Sequence, residues 1–278
     1  MLTRRRSRGL TYVEVLAVIA LILVAVAFLL PIRTRTHEGS NRMKCASNLR
    51  QIGQALLMYA NDNKGEYPRT TCRPGSEVIP TWGTGAPATQ PSDPNGPAPN
   101  DVTAALFLLM RTQDITPEVF TCPYSDQEKW DFGGSNNTAL NWSNWNDVKK
   151  NLSYSYQNPY ADDESIKRGF RLNSSISAEF AVAADINPGL TNGEMNVLTV
   201  TTISNAKQMK GGNSINHERD GQNILFGDGH VSFEQNPFVG VGRDNIYTTK
   251  LASTGFTGGS FIASPYDAGD SILLPTSQ

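Results

Sequence analysis

Glu14 is the residue of this chain whose placement most demands an explanation. It is the single charge between Gly9 and Leu30, and from Val15 to Leu30 no side chain is polar. A carboxylate inside a membrane helix costs about 2.5–3.5 kcal/mol on insertion scales, so something must offset that penalty. Paired, the charge is tolerable in apolar surroundings; either member left alone is strongly destabilising. A second set with chemical potential is His217, Asp228 and His230, with Asp185 upstream. These types ligate metals or pass protons. Asp228-Gly229, however, reads as the turn of a hairpin, and alternation turns His230 outward with Ser232. The expectation is therefore a structural network of His217, Asp228, Gly229 and His230. Asp244, Asp267 and Asp270 supply oxygen donors without the loop spacing of an EF-hand. Cys45, Cys72 and Cys122 cannot all pair with one another. No C-x-x-C is present, which supports neither a redox motif nor a cysteine zinc site. No G-x-S-x-G, H-E-x-x-H or P-loop occurs, and the expectation is that the protein is not an enzyme.

The elements that would hold these residues can be read from periodicity and punctuation. Arg4, Arg5, Arg6 and Arg8 precede the apolar run, and Pro31-Ile32-Arg33-Thr34-Arg35 follows it. The run is long enough for a bilayer-spanning helix, which needs ~20 mainly apolar residues. It is longer than a secretory signal core and lacks a small-residue cleavage pattern at its end. Pro31 is expected to kink the helix rather than end it. Cys45, Leu49, Ile52, Leu56 and Tyr59 form one helical stripe, and Asn61-Asp62-Asn63-Lys64-Gly65 is a stop. Residues 73–100 hold seven prolines and four glycines without apolar period, which makes them a long irregular loop. Cys72 and Cys122 flank that loop and are the candidate disulfide, against two separate thiols. Asn100-Asp101 caps a core helix from Val102. Thr116-Pro117-Glu118 opens a short second one. Trp142 and Trp145 sit in an Asn/Gly-rich loop whose aromatics either bind a ligand or cover the edge of the core. Strands are expected at 152–157, 179–186 and 195–202, and in a hairpin over 222–233 with Phe226 opposite Val231 and Ile224 opposite Phe233.

Gly9-Leu10-Thr11-Tyr12-Val13-Glu14 resembles the processing site of type IV prepilins and type II secretion pseudopilins. The stretches Cys45-Ala46-Ser47-Asn48-Leu49-Arg50-Gln51-Ile52-Gly53 and Asn61 to Pro68 resemble those of the major-type pseudopilins. His217 and Asp228-Gly229 resemble an H-x-DG element of a similar bacterial group, here with ten residues between His and Asp. The resemblance implies that a prepilin peptidase cuts between Gly9 and Leu10 and methylates the new amino terminus. Glu14 would then neutralise that amine on a neighbouring subunit, so that the pair sets the register of a filament. The implied fold is α+β: a long N-terminal helical spine, half membrane and half amphipathic, packed on a small antiparallel sheet with long loops. The implied division is a leader at 1–9, a transmembrane and assembly helix at 10–31, the amphipathic half of the spine at 32–64, and a head at 65–278.

The function implied is that of a structural subunit of a pseudopilus or pilus-like filament, serving protein secretion or surface attachment. Its partners would be other copies of itself, the prepilin peptidase, the inner-membrane assembly platform, minor pseudopilins and membrane lipid. The competing reading is a monomeric, membrane-anchored extracytoplasmic domain that binds a ligand. No cofactor is required; structural calcium near the C-terminal loops is a candidate by resemblance alone. Loss of residues 1–9 removes four arginines and takes the formal charge from −2 to −6, which argues against nucleic acid. The expected location is the bacterial inner membrane, single-pass, with a cytoplasmic N-terminus and a periplasmic or extracellular head.

Overall fold

A computed structural model describes residues 11–73, 78–83, 96–190, 196–250 and 260–277, apart from the side chains of 27–38. The chain forms two compact units, Met1–Ser40 and Asn41–Gln278. Helix α1 covers Tyr12–Asp62. In the first unit, its residues from Tyr12 to Val26 are exposed throughout, apolar side chains included. Among the described residues no helix is long and apolar enough to cross a membrane. This overturns the expected single-pass inner-membrane location, and with it the cytoplasmic N-terminus and extracytoplasmic head.

In the second unit, Cys45, Leu49, Ile52, Leu56 and Ala60 of α1 are all buried. They recur every three or four residues, the spacing that brings one helical face into register. The helix stops where the sequence indicates. Lys64 and Gly65 adopt positive φ, and the Gly65 N–H returns to the Ala60 carbonyl at 2.7 Å. Helix α2 (Val102–Thr112) begins at Asp101, whose carboxylate accepts from the Ala104 N–H at 2.9 Å.

Among the described residues seven strands follow: β1 (Tyr154–Gln157), β2 (Ala181–Asp185), β3 (Gln222–Phe226), β4 (Val231–Glu234), β5 (Phe238–Gly240), β6 (Asp244–Asn245) and β7 (Leu273–Leu274). The order β4-β3-β2-β1-β7 makes a five-stranded antiparallel sheet, and β5-β6 a separate pair. The class is thus α+β. One face of the sheet packs Tyr154, Tyr156, Val182 and Leu225 with the buried face of α1 and with α2. The other packs Ala184, Ile224 and Phe226 with Val197, Ile246, Tyr247 and Leu273. Gly53 shows how near α1 comes to the sheet. A Cβ there would lie 2.9 Å from a Leu225 methyl.

Two expectations about the sheet are corrected. The pairing in the hairpin is Leu225 with Val231, Ile224 with Ser232 and Asn223 with Phe233, one residue off the expected register. The loop has three residues rather than two: Phe226 N–H donates to the His230 carbonyl across Gly227-Asp228-Gly229, with Gly229 at φ +87°. The expectation assumed one buried face, but β3 is buried on both, so alternation carried no information about register. The strand expected at 195–202 is, from Asn196 onward, a turn. Asn196 binds the Leu198 N–H through its side chain and the Val200 N–H through its carbonyl, and Thr199 binds back to the Asn196 N–H. Such local bonds compete directly with a ladder.

Candidate functional site

Gly9 and Leu10 lie outside the described residues, and Pro31 falls within α1 at a position whose side chain does. Glu14, in the first turn of α1, accepts from the Thr11 N–H at 2.8 Å and from the Thr11 hydroxyl at 2.9 Å. The Thr11 hydroxyl in turn lies 3.4 Å from the Glu14 N–H. This is the reciprocal bonding of a capping box, and it places a negative charge at the positive end of the helix dipole. The carboxylate therefore has a partner in its own chain, one residue beyond Leu10.

The four residues of the expected polar network divide into two places. At the hairpin tip, Asp228 accepts from the His230 N–H at 3.0 Å and pairs with His230 Nδ1 at 2.5 Å. These bonds hold the exposed Asp228 carboxyl below its ordinary range. The His230 ring stacks on Phe226, with centroids 4.5 Å apart. Gly229 supplies the positive φ of the turn. His217 lies elsewhere, fully buried in the short 3-10 segment Ile215–His217. Among the described residues no bond joins it to Asp228 or His230.

His217 instead belongs to a cluster that sequence reasoning did not assemble. Its Nε2 is 3.3 Å from Asp185 Oδ2, 3.2 Å from Asn223 Nδ2 and 3.9 Å from Cys122 Sγ. Cys122 is bonded to Cys45. This corrects the expected Cys72–Cys122 pair: Cys72 is free and exposed. The reason is packing. Cys45 heads the buried stripe of α1, and Cys122 is delivered to it from the far end of Pro117–Phe120, with 5.3 Å between Cα atoms. The single ligand atoms of Cys45, Cys122, Asp185 and His217 all lie within 4.8 Å of one another.

Four separate elements build this cluster, and each is locked by neighbours. Asp185, at the end of β2, accepts from the Asn223 N–H at 2.6 Å, from Asn223 Nδ2 at 3.1 Å and from Asn216 Nδ2 at 3.2 Å. The Cys122 N–H donates to Ser153 Oγ at 2.9 Å. The His217 ring is stacked by Tyr124 and met edge-on by Phe233, itself covered by the Arg42 guanidinium at 4.2 Å. Among the described residues His217 Nδ1 has no hydrogen-bond partner. Glu218 and Arg219 both take positive φ immediately after it, a conformation side chains adopt only when surroundings dictate it. The available sequence signal was Asn48 and Cys45 on the buried stripe: Asn48 Nδ2 reaches Tyr154 Oη, beside the same cluster.

The three aspartates considered for calcium are arranged around a lysine. Lys250 Nζ bonds Asp267 Oδ1 at 3.1 Å, and Lys250 N–H donates to Asp270 at 3.0 Å. Burial pushes the Asp244 carboxyl well up, with the neighbouring Asp270 charge adding to it. Burial raises Asp270 to about 6, against the bonds it accepts from Tyr266 and Thr249. Trp145 is fully buried against Phe107 and Phe120, so the Asn/Trp loop covers the core edge. Beside the hairpin, between α1 and Gly227, the recess measures about 10 Å³, room for about one water. A larger recess of about 270 Å³, lined by Tyr67, Arg69, Cys72, Tyr160 and Arg171 among others, involves neither of those segments.

No protein-family model matches the chain, and neither curated proteins nor solved structures gave a match.

Proposed function

We propose that this chain is a subunit of a pseudopilus or type IV pilus-like filament. A prepilin peptidase trims it after Gly9, and it is added to a growing assembly through the first part of α1. The observation that carries this reading is the state of Tyr12–Val26. Val13, Leu21 and Leu23 are 74%, 72% and 64% exposed, and among the described residues the apolar side chains around them are exposed as well. An apolar helical surface of that length requires a cover, and contiguous exposed apolar area marks an interaction site. Copies of the same helix, bundled side by side, would bury it.

Glu14 is the one charge in that segment, and the Thr11 N–H it already holds adjoins the amine that cleavage at Gly9–Leu10 would create. On this reading the carboxylate changes partner at assembly, from its own first turn to the new terminus of a neighbour, and only one axial offset permits that exchange. The rest of α1 is the spine of the head, with its Cys45–Ala60 stripe against the sheet. Minor pseudopilins and the assembly platform are the partners this role requires; no catalytic step and no cofactor enter it.

Co-expression with a prepilin peptidase, followed by mass spectrometry of the N-terminus and electron microscopy of the product, tests the reading. The expected result is a methylated Leu10 terminus and filaments, with Gly9→Ala blocking the cut and Glu14→Val blocking assembly after a normal cut. An intact Met1 terminus in the presence of active peptidase refutes the proposal.

A further inference from the structure

We propose that Cys45, Cys122, Asp185 and His217 form a tetrahedral Zn²⁺ site when the Cys45–Cys122 disulfide is reduced. The four residues are all at or below 1% exposure and bring two sulfurs, a carboxylate oxygen and an imidazole nitrogen together. That donor set suits zinc, which takes Cys, His and carboxylate ligands in four-coordinate sites.

The geometry is most of the way there. With Zn–N and Zn–O bonds near 2.1 Å, two ligands of a tetrahedron stand about 3.4 Å apart. His217 Nε2 and Asp185 Oδ2 are 3.3 Å apart. A sulfur and a nitrogen ligand would stand about 3.5 Å apart, and Cys122 Sγ is 3.9 Å from His217 Nε2. The sulfur pair must open, from a bonded ~2.05 Å to about 3.8 Å, and all the ligand atoms start within 4.8 Å of one another. The ligands are also held from behind, as metal ligands need to be. Asn216 and Asn223 fix the carboxylate, and Tyr124 and Phe233 fix the ring plane.

Charge balance shows how the reduced pair can take a cation. A dithiol reductant transfers two electrons and two protons, leaving two thiols here and a disulfide on itself. Zn²⁺ then displaces the two thiol protons to solvent. Two thiolates and one Zn²⁺ carry together the same net charge as the disulfide they replace, so the buried site exchanges one state for the other without adding charge to its interior. Without the metal the pair stays as two neutral thiols, because two thiolates beside Asp185 would add two buried negative charges. The two states clamp the same elements, α1, the segment after Phe120, β2 and Ile215–His217, by a covalent bond in one case and by coordination in the other.

The test uses the full chain, purified anaerobically in the presence of a dithiol from zinc-supplemented culture, with metal content measured by elemental analysis. The expected result is one Zn²⁺ per folded chain, unchanged in Cys72→Ser, lost in Cys45→Ser, and released to a chromogenic chelator when a disulfide oxidant is added. Growth with Co²⁺ instead should give the thiolate-to-cobalt absorption of a two-sulfur tetrahedral site. Should Cys45→Ser fail to fold, the Cys72→Ser chain, compared reduced and oxidised, decides the matter alone. A reduced, folded chain without metal overturns the proposal, as does metal that survives oxidation or survives Cys45→Ser.

Discussion

Reducing the Cys45–Cys122 bond in the presence of a strong chelator removes both clamps at once, and its cost can be worked from the chain. The two cysteines are 77 residues apart. In the chain-entropy treatment a closed loop of that length restricts the unfolded state by about 4.5 kcal/mol. For a unit of this size each kcal/mol moves the midpoint by about 2–4 °C, so the midpoint should fall by roughly 9–18 °C. The expected Cys72–Cys122 loop would have given nearly the same figure, so magnitude alone does not separate the two pairings. Location does. A bond at Cys45 ties α1 to the core, so its loss should raise amide exchange across 45–60 more than across β1 or β2. Urea denaturation with and without reductant gives the energy, and non-reducing peptide mapping gives the pairing. A free Cys45 with Cys72 in the bridge, or an unchanged midpoint on complete reduction, refutes the reasoning.

Other consequences concern single groups. Asp270 is held near 6 and Asp244 well above its ordinary range, so the fold binds protons that the unfolded chain releases. Their contribution is full below the unfolded carboxylate range and is lost as pH rises through the folded values, about 6 for Asp270. Thermal midpoints should therefore fall from pH 5 to pH 7.5, and fall less in Asp244→Asn; a rise in the wild type over that interval contradicts the assignment. Asp101→Ala removes the cap of α2 and should cost about 1–2 kcal/mol by denaturant titration, with Asp101→Asn retaining most of it. Gly227→Ala would set a Cβ 2.3 Å from the Ser177 carbonyl. Backbone cannot yield as a side-chain end does, so the loss should be about 1–3 kcal/mol, whereas Gly229→Ala, with open space around it, should show only the cost of its positive φ.

The parts of the fold that were legible are those decided within a few residues. The buried face of α1 followed from 3-and-4 spacing, its stop from Asn61 to Gly65, and the start of α2 from Asp101. β1 and β2 fell inside the stretches expected for them because β-branched and aromatic residues cluster there between turn formers. What failed were inferences that needed the second layer of the molecule. The hairpin register was read on the premise of one wet face, but Ile246, Tyr247 and Leu273 cover the face opposite α1, and β3 then has no outside. The strand expected at 195–202 lost to side-chain bonds a composition argument does not weigh. The membrane expectation rested on the length of an apolar run, whereas among the described residues no helix is long and apolar enough to cross a membrane.

The buried cluster was illegible for a different reason. Its four ligands come from positions 45, 122, 185 and 217, separated in sequence by 77, 63 and 32 residues. No local spacing encodes such a set, and the absence of C-x-x-C was a fact about one way of building a metal site rather than about all of them. By sequence Cys45 is one member of an apolar stripe, and Cys72 is the candidate for the bond because it flanks a loop. Yet the stripe carries its own hint. A cysteine at its head and Asn48 one turn further on are both fully turned into the core. A buried amide must be satisfied by something fixed in place. Asn48 answers to the Thr121 carbonyl and to Tyr154 Oη, so the helix face that carries Cys45 is already committed to the residue preceding Cys122. The same contact that satisfies the amide thus brings the two sulfurs together. Asn48→Leu should consequently weaken the Cys45–Cys122 bond, lowering the dithiol concentration needed to reduce it. If that concentration is unchanged while the fold is kept, the amide does not position the pair.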